Sequence, residues 1–479
     1  MARRWFGGWR ATHRRAAYNA GREQLPQSMR ARRSMQPPVV EYVRTAHGDV
    51  AYRVAGDGPA NLLLVNPMSR SIETLWDYPA NAAMLERLAH GYRLIVFDRR
   101  GCGISDPLPS DVPPTWEDWL EDILIVLDHL DAHEVSLLAE RDAAAASMLF
   151  AGSHPDRVRA LVLGNTSARF RVAPGYPCGE SAERSDQLSA MWDSAWGTER
   201  MVSQTRQLLT SDPDYVRWVM RMQRVSYSPR RAGAEFRYII NFDARSVLPS
   251  IHAPTLILHR RDFGVIPVAH AHYLAEHIAG ARLEVLPGGD LDVLVPGDDR
   301  ALDLIGTFLA GLGPVTHPER ALTTVLCIGI AQPEQLAANL GDARWQDLLV
   351  RHRAIVRAEL ARFDGHESTN SRDGFLVTFD GPARALRFAR TVRQALRDQL
   401  RLEIHAGAHT GECARAGDRL SGPAVEIGSA VLLAAQPGEV LATAAVRDLG
   451  VGSGIELREL GAQALKGVPG RWDLYALEG

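Results

Sequence analysis

Short apolar runs separated by stretches of helical periodicity organise residues 38–310. Residues 61–65 (NLLLV), 93–97 (RLIVF), 135–138 (VSLL), 160–163 (ALVL) and 255–258 (TLIL) are almost continuously apolar. Runs of this length suit strands of a parallel sheet covered by helices on both faces. Residues 116–130 and 144–153 read as intervening helices. Residues from about 166 to 245 lack strand signals and are rich in Trp, Met and Arg, which predicts a helical cap over the sheet edge. The Gly- and Pro-rich stretch 311–318 reads as a linker. Beyond it, the pattern predicts a strand from Thr324 and an amphipathic helix over 345–363. The apolar side of that helix carries Leu348, Leu349, Ile355, Val356, Leu360 and Phe363. A strand over 374–379, a helix over 382–400 and a strand over 402–409 follow. Such alternation predicts an α+β sandwich at 319–479, with a core separate from that of 38–310.

Composition narrows the field. A chain of 479 residues is long enough for two or more domains. A net charge of -3 argues against a dedicated nucleic-acid binder. No apolar run approaches the roughly 20 residues of a membrane-spanning helix. Cys102, Cys178, Cys327 and Cys413 are scattered without metal-ligand spacing, so a reducing cytoplasm is the expected compartment. Residues 1–33 carry nine Arg and a single acid, Glu23. Residues 1–37 are therefore expected to be a disordered arm, with binding to anionic lipid or RNA as the alternative.

Residues 97–106 (FDRRGCGISD), 154–163 (HPDRVRALVL) and 253–258 (APTLIL) carry a resemblance to the α/β-hydrolase family. The resemblance implies a Ser nucleophile in a tight G-x-S-x-G turn, a triad acid and a His. After Leu138 this chain reads Ala-Glu-Arg-Asp-Ala, so Arg141 stands at the nucleophile position. Phe263 falls at the acid position, with Asp262 beside it, and Leu291 at the His position. Pro67, at the end of the oxyanion-hole strand, has no N–H. A guanidinium cannot attack a carbonyl, so no activated nucleophile remains. Asp142, Glu140 and Asp290 are candidate partners for Arg141, and an anionic ligand is the alternative.

Residues 324–330 (TVLCIGI), 373–385 (DGFLVTFDGPARA), 407–412 (GAHTGE) and 465–470 (LKGVPG) resemble class III adenylate/guanylate cyclases. The order of the two halves resembles actinobacterial (mycobacterial) two-domain cyclases. The implied fold is α/β followed by α+β with a ferredoxin-like core. The family holds two Mg²⁺ or Mn²⁺ ions on two Asp, orients ribose with an Asn and stabilises the transition state with an Arg. Carried onto this chain, Gly329 replaces the first metal Asp and Asp373 keeps the second. Thr369 and Asp418 take the base-selecting positions. Glu426 replaces the Asn and Ala430 the Arg. Hard cations need oxygen ligands, and a transition-state Arg is worth about 10³–10⁵ in rate.

The expected protein is a cyclase-like signalling protein with a hydrolase-like sensor or scaffold half. It would be degenerate in both halves and act by binding a nucleotide, a small molecule or a partner. A homodimer, or a heterodimer with a complete cyclase, is the expected assembly. A low-activity or partner-dependent adenylate cyclase is the alternative, and a hydrolase the remote one.

Overall fold

The computed structural model of the chain describes residues 37–108, 115–312, 320–370, 374–416 and 419–478. The expected arm up to residue 36, residues 313–318 of the expected linker, Asp373 and Asp418 lie outside the described residues. Residues 38–479 form one compact unit, built on two sheets.

The first sheet holds β1 (Glu41–Val43), β2 (Val50–Ala55), β3 (Ala60–Val65), β4 (Tyr92–Phe97), β5 (Val135–Glu140), β6 (Val158–Gly164), β7 (Thr255–Arg260) and β8 (Arg282–Leu286). Their order is β1-β2-β4-β3-β5-β6-β7-β8. The strands from β4 to β8 in that order pair in parallel, as their apolar runs imply. The edge is antiparallel, β1 on β2 and β2 on β4, so the sheet is mixed rather than all parallel. Polar residues such as Arg53 interrupt the apolar pattern there and hide these strands from a search for continuous runs. At the centre every residue of β5 is buried, and helices Trp116–His129 and Ala143–Ser153 pack on the same core. The cap is built from helices Ala182–Ala195, Glu199–Thr205, Pro213–Ser226 and Pro229–Ile239. It starts at a Ser181 N-cap rather than at 166.

The second sheet holds β9 (Arg320–Ile330), β10 (His366–Asn370), β11 (Gly374–Phe379), β12 (Ile404–Ala416), β13 (Arg419–Ser421), β14 (Val440–Thr443), β15 (Leu457–Ala464) and β16 (Arg471–Leu477). The order is β10-β11-β9-β12-β14-β16-β15, with β13 on β12. Alternation along β9 assigns its faces. Leu326, Ile328 and Ile330 enter the core beneath helices Asp342–Arg362 and Pro382–Leu400. Val325 and Cys327 face the other way, against Ala424 of helix Pro423–Ala434. That helix lies close on the sheet: a Cβ at Gly407 would stand 2.1 Å from the Leu432 nitrogen.

The two halves do not keep separate cores, contrary to the expectation from sequence. Leu322 of β9 and Leu449 are buried in the core of the first sheet. Glu117 reaches across, and its Oε1 accepts a hydrogen bond of 2.7 Å from the Ala383 N–H. This carboxylate supplies an acceptor at the N-terminus of helix Pro382–Leu400, where Gly381 has no side chain to offer. Arg384, one residue on, pairs with Glu121 at 2.7 Å. Gly381 is required by this approach, since a Cβ there would stand 2.1 Å from Glu117 Cγ. Gly381→Ala is expected to cost about 1–3 kcal/mol of stability by overpacking. In a Glu117→Ala background the same substitution should cost much less. Urea unfolding of the four proteins measures the cycle, and additive costs would contradict the contact.

Candidate functional site

The turn between β5 and the Ala143–Ser153 helix places Arg141 at φ 54°, a left-handed conformation unusual for a side chain of this size. A strand-to-helix turn of this strained kind is where the hydrolase fold presents its nucleophile. Here it presents a guanidinium. Arg141 Nε lies 3.1 Å from Asp292 Oδ1, and Nη2 donates to Ser69 Oγ at 2.9 Å. None of the three acids expected from sequence supplies the closest contact. Asp142 faces Arg99 instead, Glu140 pairs with Arg70, and Asp290 accepts backbone N–H groups from Gln207 and Leu208.

Asp292 collects three cations from three segments. Besides Arg141, Arg70 of the loop after β3 stands 3.2 Å away, and Arg206 of the cap donates to Oδ2. Burial alone would raise the Asp292 carboxyl, but Arg206, Arg70 and Arg141 outweigh it and hold it well below the usual carboxylate range. Glu140 closes the cluster, pairing with Arg70 at 2.7 Å and accepting the N–H groups of Val293 and Leu294 at 2.6 and 3.0 Å. Burial lowers the Arg141 guanidinium from its ordinary value, against the pull of Asp292 and Asp142. An arginine remains charged throughout the physiological range, so this group neither attacks nor accepts a proton.

The oxyanion position is also occupied by the protein itself. In this fold the hole is built from the N–H after the nucleophile and an N–H of the loop after β3. Pro67 offers none, as the sequence implies, but its neighbour Met68 does. That N–H donates to Asp142 Oδ2 at 2.9 Å. A fixed carboxylate therefore sits on the donor that would otherwise stabilise a developing negative charge.

Arg141, Phe263 and Leu291 come together around one cavity of about 60 Å³. Its other walls include Trp192 and Phe236, stacked with centroids 4.3 Å apart. The sequence finds three positions of this site but misses Asp292, Arg70 and Arg206. The one available signal is the doubled acid in Asp290-Leu291-Asp292, where either carboxylate could have faced the elbow.

In the second half, Gly329 lies opposite Gly374 of β11 and His405 of β12. A Cβ at Gly329 would stand 2.8 Å from His405 Nε2, so an imidazole occupies the space of an Asp side chain. The thiol of the nearby Cys327 meets Ser429 Oγ at 3.5 Å. Nitrogen and sulfur donors do not fit Mg²⁺ or Mn²⁺, which take oxygen ligands. Helix Pro423–Ala434 carries Glu426 on its exposed side and Ala430 buried against Ile427 and Leu441. Thr369 pairs with Leu376 through the backbone of β10. Among the described residues no group of three His, Cys, Asp or Glu side chains could hold a metal ion.

The sequence profile of the family described as alpha/beta hydrolase fold matches residues 73–295. This half has an alpha/beta hydrolase fold. Serine hydrolase BPHL of Mus musculus is 24% identical over 264 residues, covering 54% of this chain and 82% of that protein. The esterase EaEST from Exiguobacterium antarcticum superposes with a TM-score of 0.50 at 20% identity, covering 57% of this chain and 100% of that one. The adenylyl cyclase CyaB from P. aeruginosa aligns with a TM-score of 0.32 at 22% identity, covering 33% of this chain and 95% of that one. The second half is sheet-rich and is built on a sheet of its own. No helix among the described residues is long and apolar enough to cross a membrane.

Two buried histidines of the hydrolase-fold half contribute to its acid response, in opposition to Asp98 and Asp122, whose carboxyls burial raises to about 6 and about 7. Burial lowers His259 to about 4, against its bond to the Ile266 carbonyl. Burial likewise lowers His270, which meets the Tyr176 hydroxyl at 2.6 Å, to about 4. Both are neutral in the folded state and protonate more readily when unfolded. Stability from their neutral burial is full above the unfolded value of 6.5 and falls as pH drops toward about 4. Replacing both imidazoles, His259→Gln with His270→Gln, should therefore lessen the fall of the urea midpoint between pH 7 and pH 5 (a range set by these shifts), and both imidazoles of the unchanged protein should stay unprotonated by NMR. An unaltered pH response in the double variant would contradict it.

Proposed function

We propose that the chain is a catalytically degenerate signalling protein. Its hydrolase-fold half binds a small molecule, or serves as a scaffold, and its second half is a class III cyclase-like domain. One observation supports loss of hydrolysis above all others: Arg141 occupies the nucleophile turn and is held there by Asp292. The self-occupied Met68 N–H and the apolar Leu291 add that one oxyanion donor is already taken and no base stands at the His position.

For the second half, the cyclase resemblance of residues 324–330, 373–385, 407–412 and 465–470 supports the reading. Gly329 with His405 beside it, and buried Ala430, favour a domain without turnover. Nucleotide contact through Thr369 and Asp418 and metal contact through Asp373 belong to this proposal. No chemical step is assigned to a metal, because the Gly329 surroundings do not fit one. Association of this half with a second copy or with a complete cyclase belongs to the same proposal and rests on the cyclase resemblance.

The protein is expected to leave short-chain aryl esters intact, to resist Ser-directed phosphonates and to make no cyclic AMP or GMP above background. Stoichiometric phosphonate labelling in the first half would overturn the hydrolase part. Metal-dependent cyclic nucleotide production, lost in Asp373→Ala, would establish the alternative, a weak or partner-dependent adenylate cyclase.

A further inference from the structure

The cavity at Arg141 has a distinctive division of labour among its polar groups. Arg141 is committed to Asp292 and Ser69. Arg169, the other cation of the lining, bonds the Arg171 carbonyl at 2.9 Å and Asp243 at 2.6 Å. Both guanidinium groups are paired in charge with a carboxylate, although Arg141 Nε has no hydrogen-bond partner among the described residues. Asp142 differs. Its Oδ2 accepts from Met68 and Arg99, but its Oδ1 accepts no hydrogen bond from the described residues. The side chain is 6% exposed and lines the cavity. The Ser167 hydroxyl lines it as well, and no described residue bonds it. The remaining wall is apolar and aromatic.

Each ligand class can be weighed against this lining. An anion would leave water for an apolar cavity and face the Asp142 carboxylate with no spare cation to receive it. A cation would meet Asp142 already neutralised by Arg99 at 3.3 Å, with Arg141 alongside. A neutral molecule avoids both costs. A volume of about 60 Å³ is under half the roughly 150 Å³ of a cavity that holds benzene, so it admits the hydroxyl-bearing edge of a ring rather than a whole substituted ring. A hydroxyl on that ring donates to Asp142 Oδ1 and can accept from Ser167, satisfying two polar groups that nothing described satisfies.

We infer that this cavity binds a small, neutral, largely aromatic or alicyclic molecule through a hydroxyl or N–H that donates to Asp142. The inference rests on the ligand-binding reading of the hydrolase-fold half and specifies it. It differs from a hydrolase substrate site in what is recognised: a hydrogen-bond donor rather than an acyl carbonyl. Asp142 is a binding residue in this account, with no chemical step attached.

Isothermal titration of the full chain with three probes of one shape tests it: 4-ethylphenol, ethylbenzene and 4-ethylbenzoate. The phenol should bind about tenfold more tightly than ethylbenzene, from a hydrogen bond to a charged acceptor. The benzoate should bind more weakly than either. Ala145→Leu, which fills the cavity wall, should weaken the phenol at least as much. If that variant fails to fold, transferred-NOE contacts between the phenol and the Ile266 and Thr166 methyl groups locate the site instead. Tighter binding of the benzoate would overturn neutrality, and equal binding of ethylbenzene would overturn the role of Asp142. Either result would leave the ligand-binding reading standing. Failure of all three probes, or phenol binding unaffected by Ala145→Leu without contacts to those methyls, would overturn the inference itself. Failure of the underlying reading shows separately, as ester turnover or phosphonate labelling.

Discussion

A single carboxylate, Asp292, holds the centre of the hydrolase-fold half together. Three guanidinium groups converge on it from the loop after β3, the elbow after β5 and the helical cap. Buried charges are tolerable only when paired, and removing one partner of such a cluster commonly costs 3–5 kcal/mol. The cluster therefore ties the cap to the sheet and fixes the Arg141 side chain on its strained backbone. The same arrangement supports the proposal that the chemistry of the fold is absent. A site whose nucleophile turn carries a paired cation, and whose oxyanion donor carries a paired anion, is complementary to itself rather than to a transition state.

What remains open is the apolar cavity beside that cluster, and its walls lead outward. Ile239 and Phe242 line the cavity. Tyr238, next to Ile239 in sequence, stacks on Trp116 with centroids 5.1 Å apart. Trp116 precedes Glu117, whose carboxylate holds the start of helix Pro382–Leu400. Tyr238 also lies against Gly452, where a Cβ would stand 2.0 Å from its ring. The cavity wall and the junction between the two sheets are thus parts of one packed layer. Close-packed layers transmit displacement, so occupancy of the cavity has a physical route to the second half.

Much of this was legible in the residues. The apolar runs located β3 to β7, and the amphipathic pattern gave helix Pro382–Leu400 its bounds. Arg141, Phe263 and Leu291, found by their place in a resemblance, do share one cavity. Two kinds of feature escaped. Edge strands such as β1 and β15 carry mixed polar patterns, since only one side or neither is buried, while the apolar run of β2, buried on both sides, is broken by a buried Arg53. β12 continues past His409 to Ala416 because its polar end pairs with β9 and β13, which one-dimensional periodicity does not reveal. Long-range charge pairing was the second kind. Asp290 and Asp292 are equivalent in sequence, and only the path of the loop after β8 decides which of them meets Arg141. The packing of Leu322 and Leu449 into the first core is invisible for the same reason.

The most direct test is a double-mutant cycle on Arg141→Ala and Asp292→Ala, read by urea unfolding. The account predicts that Asp292→Ala costs about 3 kcal/mol or more, because it strands three buried guanidinium groups, and that Arg141→Ala costs less, because Arg70 and Arg206 still pair with Asp292. It predicts that the double variant costs well under the sum, with a coupling of at least about 1 kcal/mol. Additive losses would show that Arg141 and Asp292 act independently, and the claim that an ion-pair cluster has taken over the catalytic centre would fail.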